Sequence, residues 1–349
     1  IASVYFEKLK NKSQPGSVQD FLSASLNTWV NFKNTKNLNT ALILLEDIPK
    51  KFENLKNIQK MFAYCYFDSD RTDEVFRKIT SRPDINYSRY FFFHVNYLIS
   101  SNKKEKAKKI LKSSLDLHPE NLILNQLEVD LNQKKIFNNQ FDCKDTRHVV
   151  AEILYIVANA LTAQQNYSTS NFYLNLATYL NPNFISFEAL RAKNFFTMNK
   201  YNEAKKIYKE VQKYGQVYRW YASKETASIL IKQEKKKEAI IYVKRIFKKI
   251  KNPTTYEMFD YAEFLKNNKI YKEAIEYFSK VMNTIDKTHD LYGPVLDGRG
   301  VAYERSDQWN KAEADLLNSL SVSPDDAYVI NYLAYTWIEK GINIDKSLN

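Results

Sequence analysis

The residues that could carry nucleophilic or metal chemistry are few and stand apart from one another. They are His94, His118, His148, His289, Cys65 and Cys143. No histidine has a partner at the spacing of a helical metal motif such as HExxH, and the two cysteines lie far apart with no second pair. From these spacings we expect no metal site and no disulfide framework, and the cysteines indicate no redox compartment.

The surroundings of these residues favour structural roles. His94 follows three phenylalanines and is predicted to be a packed side chain with one hydrogen bond, while His118 is predicted to lie in a loop or cap. His148 precedes an apolar segment and is predicted to cap its helix. Cys65 lies between two tyrosines in a predicted helix, and no base can be assigned to it, which indicates a core position.

Two pairs of carboxylates near the end of the chain are the remaining candidates for acid–base chemistry. Glu313 and Asp315 lie in one predicted helix, and Asp325 and Asp326 precede the next. General acid–base catalysis needs groups in different environments that face one substrate. We predict that these four are exposed charges near helix ends. The sequence therefore predicts no catalytic residue, no cofactor and no metal, and a protein that is not an enzyme.

The composition indicates an all-α protein. The 349 residues include only 6 glycines and 8 prolines, which leaves too few turns for a many-stranded sandwich or barrel. A phosphate-binding loop is also not indicated, because Gly298 and Gly300 have no third glycine at nucleotide-motif spacing. Aromatic residues make up 14% of the chain, which excludes a disordered, solvating segment.

An internal repeat with a period of about 35 residues organises the chain. Small residues mark it at Ser170, Ala204, Ala239, Ala274 and Ala312, and Ala107 stays in phase through one degenerate unit. If each is position twenty of its unit, position eight is small as well. Its occupants are Ala158, Ala192, Ala227, Ala262, Gly300 and Ala334. Helices can cross closely only where their side chains are small, so this pattern predicts stacked helical hairpins.

The end of the chain carries the residues of a known repeat family. Residues 296–303 (LDGRGVAY), 309–316 (WNKAEADL) and 323–325 (SPD) resemble the tetratricopeptide repeat. Residues 328–335 and 341–345 resemble the end repeats of tetratricopeptide proteins of alphaproteobacteria. The resemblance implies an α-solenoid, a right-handed superhelix of about nine or ten helical hairpins. We expect degenerate helical repeats at 1–150, continuous with tetratricopeptide repeats at 151–349.

The ends of the chain bear on location. It begins at Ile1 and ends in a predicted helix, from which we expect a fragment of a longer protein. Its apolar runs fall short of the roughly 20 residues that span a bilayer. Bacterial repeat proteins of the kind that this chain resembles are often exported or membrane-anchored. The resemblance therefore implies a periplasmic or membrane-anchored location, and a cytoplasmic location is the alternative.

The resemblance also implies where a partner would bind. In such repeats, first-helix positions two, five, nine and twelve usually face a concave groove. The predicted partner-binding residues are Tyr155, Asn159, Lys193, Phe196, Tyr221, Lys224, Tyr256, Phe259, Glu263, Asn331 and Tyr335. Rings supply contact area and amides bond a peptide backbone, which fits a protein or peptide partner. The alternative is that several of these rings pack between helices.

The net charge of +12 suits an acidic partner. Lysine runs near residues 103–109, 232–237 and 244–251 are interleaved with glutamates, which favours a solvated face over a nucleic-acid site. No unit carries the paired Lys and Asn of a chaperone-binding carboxylate clamp. We predict a scaffold that binds a partner protein through the groove. The alternatives are the regulatory or substrate-presenting arm of a larger enzyme and, third, a basic solenoid that binds nucleic acid.

Overall fold

The computed structural model describes residues 14–35, 37–81, 88–133 and 140–343. Over these residues the protein is all-α, with 18 α-helices, three short 3-10 helices and no strand. The all-α fold predicted from the composition and the repeat is confirmed.

The α-helices are numbered here in chain order. Their bounds are α1 Val18–Asn31, α2 Leu38–Leu45, α3 Glu53–Tyr66, α4 Thr72–Thr80, α5 Ser88–Ser100, α6 Lys104–Leu117, α7 Leu122–Asn132, α8 Thr146–Ala163, α9 Tyr167–Leu180, α10 Ser186–Thr197, α11 Tyr201–Val211, α12 Gln216–Lys232, α13 Lys236–Phe247, α14 Thr255–Asn267, α15 Tyr271–Met282, α16 Tyr292–Glu304, α17 Trp309–Val322 and α18 Ala327–Lys340.

The chain divides into two compact units, an N-terminal unit Ile1–Ala239 and a C-terminal unit Ile240–Asn349. The boundary expected near residue 150 lies where the repeat pattern changes from faint to clear. It describes the sequence pattern and stays a prediction. Helices from both sides of that position, α1 and α8, pack together within the N-terminal unit.

Seven of the hairpins turn through the same backbone device. The turn residue adopts a left-handed conformation, with φ between 53° and 65°, although it is never glycine. The turn residues are Asp68, Asn102, Gln165, Asn199, Glu234, Lys269 and Asp307. The following N–H then donates to a carbonyl five residues earlier, as Lys200 does to Phe195 at 2.8 Å. This Schellman-type ending satisfies a carbonyl that the end of the first helix would otherwise leave without a partner.

The small residues of the repeat lie where helices cross. Those with no exposed surface are Ala158, Ala192, Ala204, Ala239, Ala262, Ala274 and Ala312. In the C-terminal unit, a Cβ added to Gly300 would lie 2.9 Å from Leu316 Cγ and 3.3 Å from the carbonyl oxygen of Ala312. Ser170, which replaces alanine, is also buried, and its hydroxyl accepts a hydrogen bond from Asn194 Nδ2 at 2.9 Å. The predicted repeat register is confirmed at these crossings.

The N-terminal unit also contains helix contacts that the repeat does not produce. α1 packs on α8 and α7 packs on α12, although neither pair is adjacent in the chain. In the second pair, Gln126 Oε1 accepts the backbone N–H of Val217 at 2.9 Å. A Cβ on Gly215, whose φ is 140°, would lie 2.3 Å from the Gln126 side chain. Only glycine allows this approach, so the contact depends on that residue.

An irregular segment, residues 140–145, lies among the helices of the N-terminal unit and is called the strap below. Its Cys143 forms a disulfide with Cys65 of α3, and the two Cα atoms are 6.0 Å apart. Both cysteines are buried, and Cys65 is a core residue as predicted. The expectation that the cysteines form no disulfide is wrong, because the fold brings together two positions that are 78 residues apart.

The histidines have structural roles, with one difference from the prediction. His94 is fully buried, and its Nε2 lies 2.8 Å from Asp73 Oδ1, as expected for a packed side chain with one hydrogen bond. His118 is the C-terminal cap residue of α6. His148 does not cap α8; Asp145 does, and His148 Nδ1 accepts the N–H of Asp142 at 3.0 Å. A short carboxylate is the better cap because it reaches the first free N–H groups of the helix.

Two of the carboxylates predicted to be exposed are engaged within the C-terminal unit. Asp315 is only 7% exposed and forms two hydrogen bonds with Arg299, at 2.7 and 2.9 Å. Glu313 accepts a hydrogen bond from Trp337 Nε1 at 2.6 Å. The prediction for these two is wrong because their partners come from neighbouring helices. Asp326, in contrast, caps α18 as a residue at a helix end should.

Candidate partner-binding surface

In the N-terminal unit, the first predicted binding residue, Tyr155, lies against the core. The ring of Tyr155 is covered by the Arg89 guanidinium at 4.0 Å from the ring centroid, and it lies 5.5 Å from Phe187. Burial raises the pKa of Tyr155. Asn159, one turn further along α8, is exposed. Tyr155 is therefore one of the predicted rings that pack between helices, the alternative given above.

A buried ion pair explains the position of Tyr155. Arg89 of α5 donates from Nε and Nη2 to the Glu152 carboxylate of α8, at 2.6 and 2.7 Å. Both residues fall at position two of their repeat units, a position that is expected to face a partner-binding groove. Here the two side chains contact each other and not a partner. Burial raises the pKa of Glu152, and the charge of Arg89 opposes that shift. The repeat pattern did not reveal this pair, because its two residues come from hairpins that are not adjacent.

A second group of predicted residues in this unit forms a patch on α10 and α12. Lys193 is exposed, and Phe196 and Tyr221 are half-buried, with rings 6.0 Å from Tyr201 and 6.1 Å from Tyr208. Lys224, also half-buried, completes the patch. The patch therefore combines aromatic rings with lysine side chains, and its role in binding stays a prediction.

Glu225 belongs to this patch although sequence reasoning missed it. Burial raises the pKa of Glu225, while the charges of Lys224 and Lys193 oppose the shift. The three charged groups are therefore close enough to interact. Nothing in the local sequence distinguishes Glu225 from other glutamates on helix surfaces, and only the packing around α12 marks it.

In the C-terminal unit, the residues predicted on α14 are tied to neighbouring helices and turns. The Tyr256 hydroxyl lies 2.7 Å from both carboxylate oxygens of Asp290. Phe259 packs edge to face on Phe278, with ring centroids 6.0 Å apart. Glu263 accepts a hydrogen bond from Lys266 Nζ at 2.7 Å. These contacts fix the side chains at the surface of the first helix of the hairpin.

Asp297 of α16 lies beside this group and was also missed. Its Oδ1 is buried and has no hydrogen-bond partner among the described residues. Burial raises the pKa of Asp297 to about 6, with Lys266 opposing and Glu263 adding to the shift. The adjoining Gly298 leaves room for this arrangement, since a Cβ there would lie 2.7 Å from Glu263 Oε1.

The predicted residues on α18 are the most accessible. Tyr335 is 64% exposed, Asn331 is exposed, and Tyr328, which lies on the same face, is 58% exposed. The charges of Asp297, Lys266 and Glu263 all act on the pKa of Tyr328. Its hydroxyl therefore lies near these three charged side chains. Large exposed rings on one helix face are typical of surfaces that bind a partner.

Some lysines of the lysine runs pair with nearby carboxylates. Lys106 pairs with Asp73 at 2.7 Å, and Lys108 pairs with Glu105 at 3.0 Å. In the C-terminal unit, Lys244 pairs with Glu273.

Within the described ranges, no cluster of three or more His, Cys, Asp or Glu side chains could hold a metal ion. None of the helices that the structure describes is both long enough and apolar enough to cross a membrane.

Comparisons with known proteins gave similarity to solved structures only, since no family model and no curated protein matches the chain. YrrB, a tetratricopeptide repeat protein with an unusual peptide-binding site, is 20% identical over 52% of this chain and 90% of YrrB, with a TM-score of 0.37. A chain of the APC/C hetero-tetramer Cut9–Hcn1 is 17% identical over all of this chain and 64% of that one, with a TM-score of 0.41.

A tetratricopeptide repeat protein from Parabacteroides merdae is 11% identical over 85% of this chain and 99% of its own, with a TM-score of 0.35. At these similarities the assignment of the fold rests on the helices themselves. Helical hairpins with small residues buried at their crossings, in a register of about 35 residues, define a tetratricopeptide-type fold.

Proposed function

We propose that the chain is a protein-interaction scaffold that binds a partner protein or peptide through the first-helix surfaces of its hairpins and catalyses no reaction itself. One observation carries the proposal: Tyr328, Asn331 and Tyr335 form an exposed face on α18. Tyrosine rings supply large contact areas at a low cost in conformational entropy, and their hydroxyls can bond a partner.

The patch on α10 and α12 is proposed as a further contact region in the N-terminal unit. Its exposed Lys193 and half-buried Lys224 suit an acidic group on the partner. Phe196 and Tyr221 add apolar area beside them. The acidic partner expected from the overall charge is therefore proposed to bind at this patch.

The test compares partner capture by matched variants of the chain. The immobilised chain is incubated with an extract of the source organism, and retained proteins are quantified. We expect the Tyr328→Ala/Tyr335→Ala variant to retain at least tenfold less of a specific protein than the wild type. Leu317→Ala is the control, because Leu317 is exposed to a similar degree but lies on α17, a second helix.

Equal retention by all three proteins would contradict the role of α18, and the absence of any specific protein would contradict the scaffold proposal. Turnover of a substrate by the purified chain would contradict the proposal that it is not an enzyme.

A further inference from the structure

The strap, residues 140–145, is held in the N-terminal unit through its backbone. Asn96 of α5 donates its side-chain amide to the carbonyl oxygen of Phe141 at 2.5 Å. Asn181, which follows α9, donates in the same way to the carbonyl oxygen of Gln140 at 3.0 Å. Side-chain amides that bond backbone carbonyls hold an extended segment without regard to its side chains. These two bonds help to fix the path of the strap, and one aromatic side chain anchors it in the core.

That anchor is Phe141, which is 3% exposed. Its ring centroid lies 4.3 Å from that of Phe93, 5.2 Å from that of Phe62 and 6.2 Å from that of Phe184. These three phenylalanine rings come from α5, from α3 and from the residues just before α10, and the His148 ring of α8 lies 6.1 Å away. The phenylalanine rings form an aromatic box around the Phe141 ring. The rings that line the box come from outside the strap, and the ring that fills it comes from the strap.

We propose that this surface, the strap site formed by Phe62, Phe93, Asn96, Asn181 and Phe184, is a peptide-binding site that the chain fills with its own strap. The Cys65–Cys143 disulfide latches the strap in place. The ligand class follows from the present occupant: an extended segment with one aromatic side chain and two neighbouring backbone carbonyls. The strap site is distinct from the exposed face of α18, so the two proposals stand or fall separately.

The latch opens by thiol–disulfide exchange with a dithiol. The dithiol transfers two electrons and two protons to Cys65 and Cys143, the bond between their sulfurs breaks, and the dithiol closes to a cyclic disulfide. Lys144 also pairs with Asp68 at 2.9 Å, but both side chains are more than half exposed, and such pairs contribute little. After reduction, the strap is held chiefly by its ring, by the two amide bonds and by the Asp142 N–H that donates to His148 Nδ1 at 3.0 Å, and a competing segment can replace all of these.

The test measures binding of a labelled peptide to the full chain. The probe is a fluorescein-labelled peptide of residues 140–145 that carries Cys143→Ser. The host carries Phe141→Ala and Cys143→Ser, which empties the aromatic box and removes the latch. We expect saturable binding, seen as fluorescence polarisation, with an affinity at least tenfold higher than for the oxidised wild type. There the tethered strap competes at an effective concentration on the order of millimolar.

The matched control is the same peptide carrying Phe141→Ala, which should show no saturable binding. Equal binding of both peptides would overturn the proposal. So would the absence of binding to a host whose circular dichroism spectrum matches that of the wild type.

A second measurement decides the matter if the host does not fold. Hydrogen exchange of the reduced wild type should show at least a tenfold loss of protection at the amides of Asp142 and Lys144, while α5 keeps its protection. A joint loss in the strap and in α5 would show that the strap is an inseparable part of the core, and the proposal would be overturned.

Discussion

Arg89 and Glu152 form an ion pair with two hydrogen bonds inside the N-terminal unit, although 63 positions separate them in the chain. Glu152 has no exposed surface, and the guanidinium of Arg89 covers the ring of Tyr155. Both charged residues occupy first-helix positions that an open repeat array would turn toward a partner. Here they pair with each other inside the fold, so these two positions are not available to a partner.

Breaking that pair should be costly. Glu152→Leu leaves Arg89 buried and unpaired, and we expect the free energy of unfolding to fall by about 3–5 kcal/mol, measured by urea denaturation. Glu210→Gln is the control, because its pair with Lys213 is largely exposed and should contribute less than about 1 kcal/mol. Similar losses in the two variants would contradict the buried pair.

The helix crossing at Ala312 should not tolerate a larger side chain. Ala312 has no exposed surface and faces Gly300, so Ala312→Leu should lower the free energy of unfolding by about 1–3 kcal/mol through overpacking. Ala314→Leu lies on the same helix at an exposed position and should change stability by less than about 0.5 kcal/mol. An unchanged melting temperature for Ala312→Leu would show that the repeat register is wrong.

The disulfide should contribute substantially to the stability of the N-terminal unit. Replacing both Cys65 and Cys143 by serine releases a loop of 78 residues, which we expect to cost about 2–5 kcal/mol in urea denaturation. Thiol titration of the denatured, unreduced wild type should find no free thiol. Two free thiols in that titration would contradict the bond, and Cys143→Ser alone should then leave stability unchanged.

Asp297 should give the C-terminal unit a distinct pH dependence. Its folded pKa of about 6 lies above the ordinary value of 3.8. Between these values the folded chain keeps a proton that the unfolded chain has lost, so the free energy of unfolding falls as the pH rises. Relative to the wild type, Asp297→Asn should gain about 1 kcal/mol on going from pH 4 to pH 7, a value reduced for partial exposure.

The control for that prediction is Asp325→Asn, since Asp325 is exposed just before α18. Urea denaturation at both pH values should show the same difference from the wild type at each. If Asp297→Asn also shows no pH-dependent difference, the carboxyl is not desolvated.

The lysines of the patch on α10 and α12 should matter for binding and not for folding. Changing Lys193 and Lys224 together to Glu should weaken an acidic partner at least tenfold while the circular-dichroism melt stays close to that of the wild type. Lys205→Glu/Lys209→Glu, on the second helix α11, is the matched charge control. Loss of the fold in the first variant would show that those lysines are structural.

The sequence alone determined the fold class and the register of the helices. Spacing fixed both, because a position such as Ala274 must be small wherever two helices cross, whatever the rest of the chain does. The hairpin turn is equally local, since a left-handed residue such as Asn199 ends the first helix through bonds within six residues.

The tertiary structure alone decided which of the predicted partner-binding positions remain accessible. The Arg89–Glu152 pair and the Cys65–Cys143 disulfide each depend on helices that meet across long stretches of chain, and no repeat pattern records such meetings. Tyr155 and Tyr335 hold equivalent kinds of position in the repeat, yet one is covered by Arg89 and the other is open. The accessibility of a residue depends on the neighbours that it acquires on folding. The sequence could therefore predict both tyrosines as binding residues but could not tell which of them would be exposed.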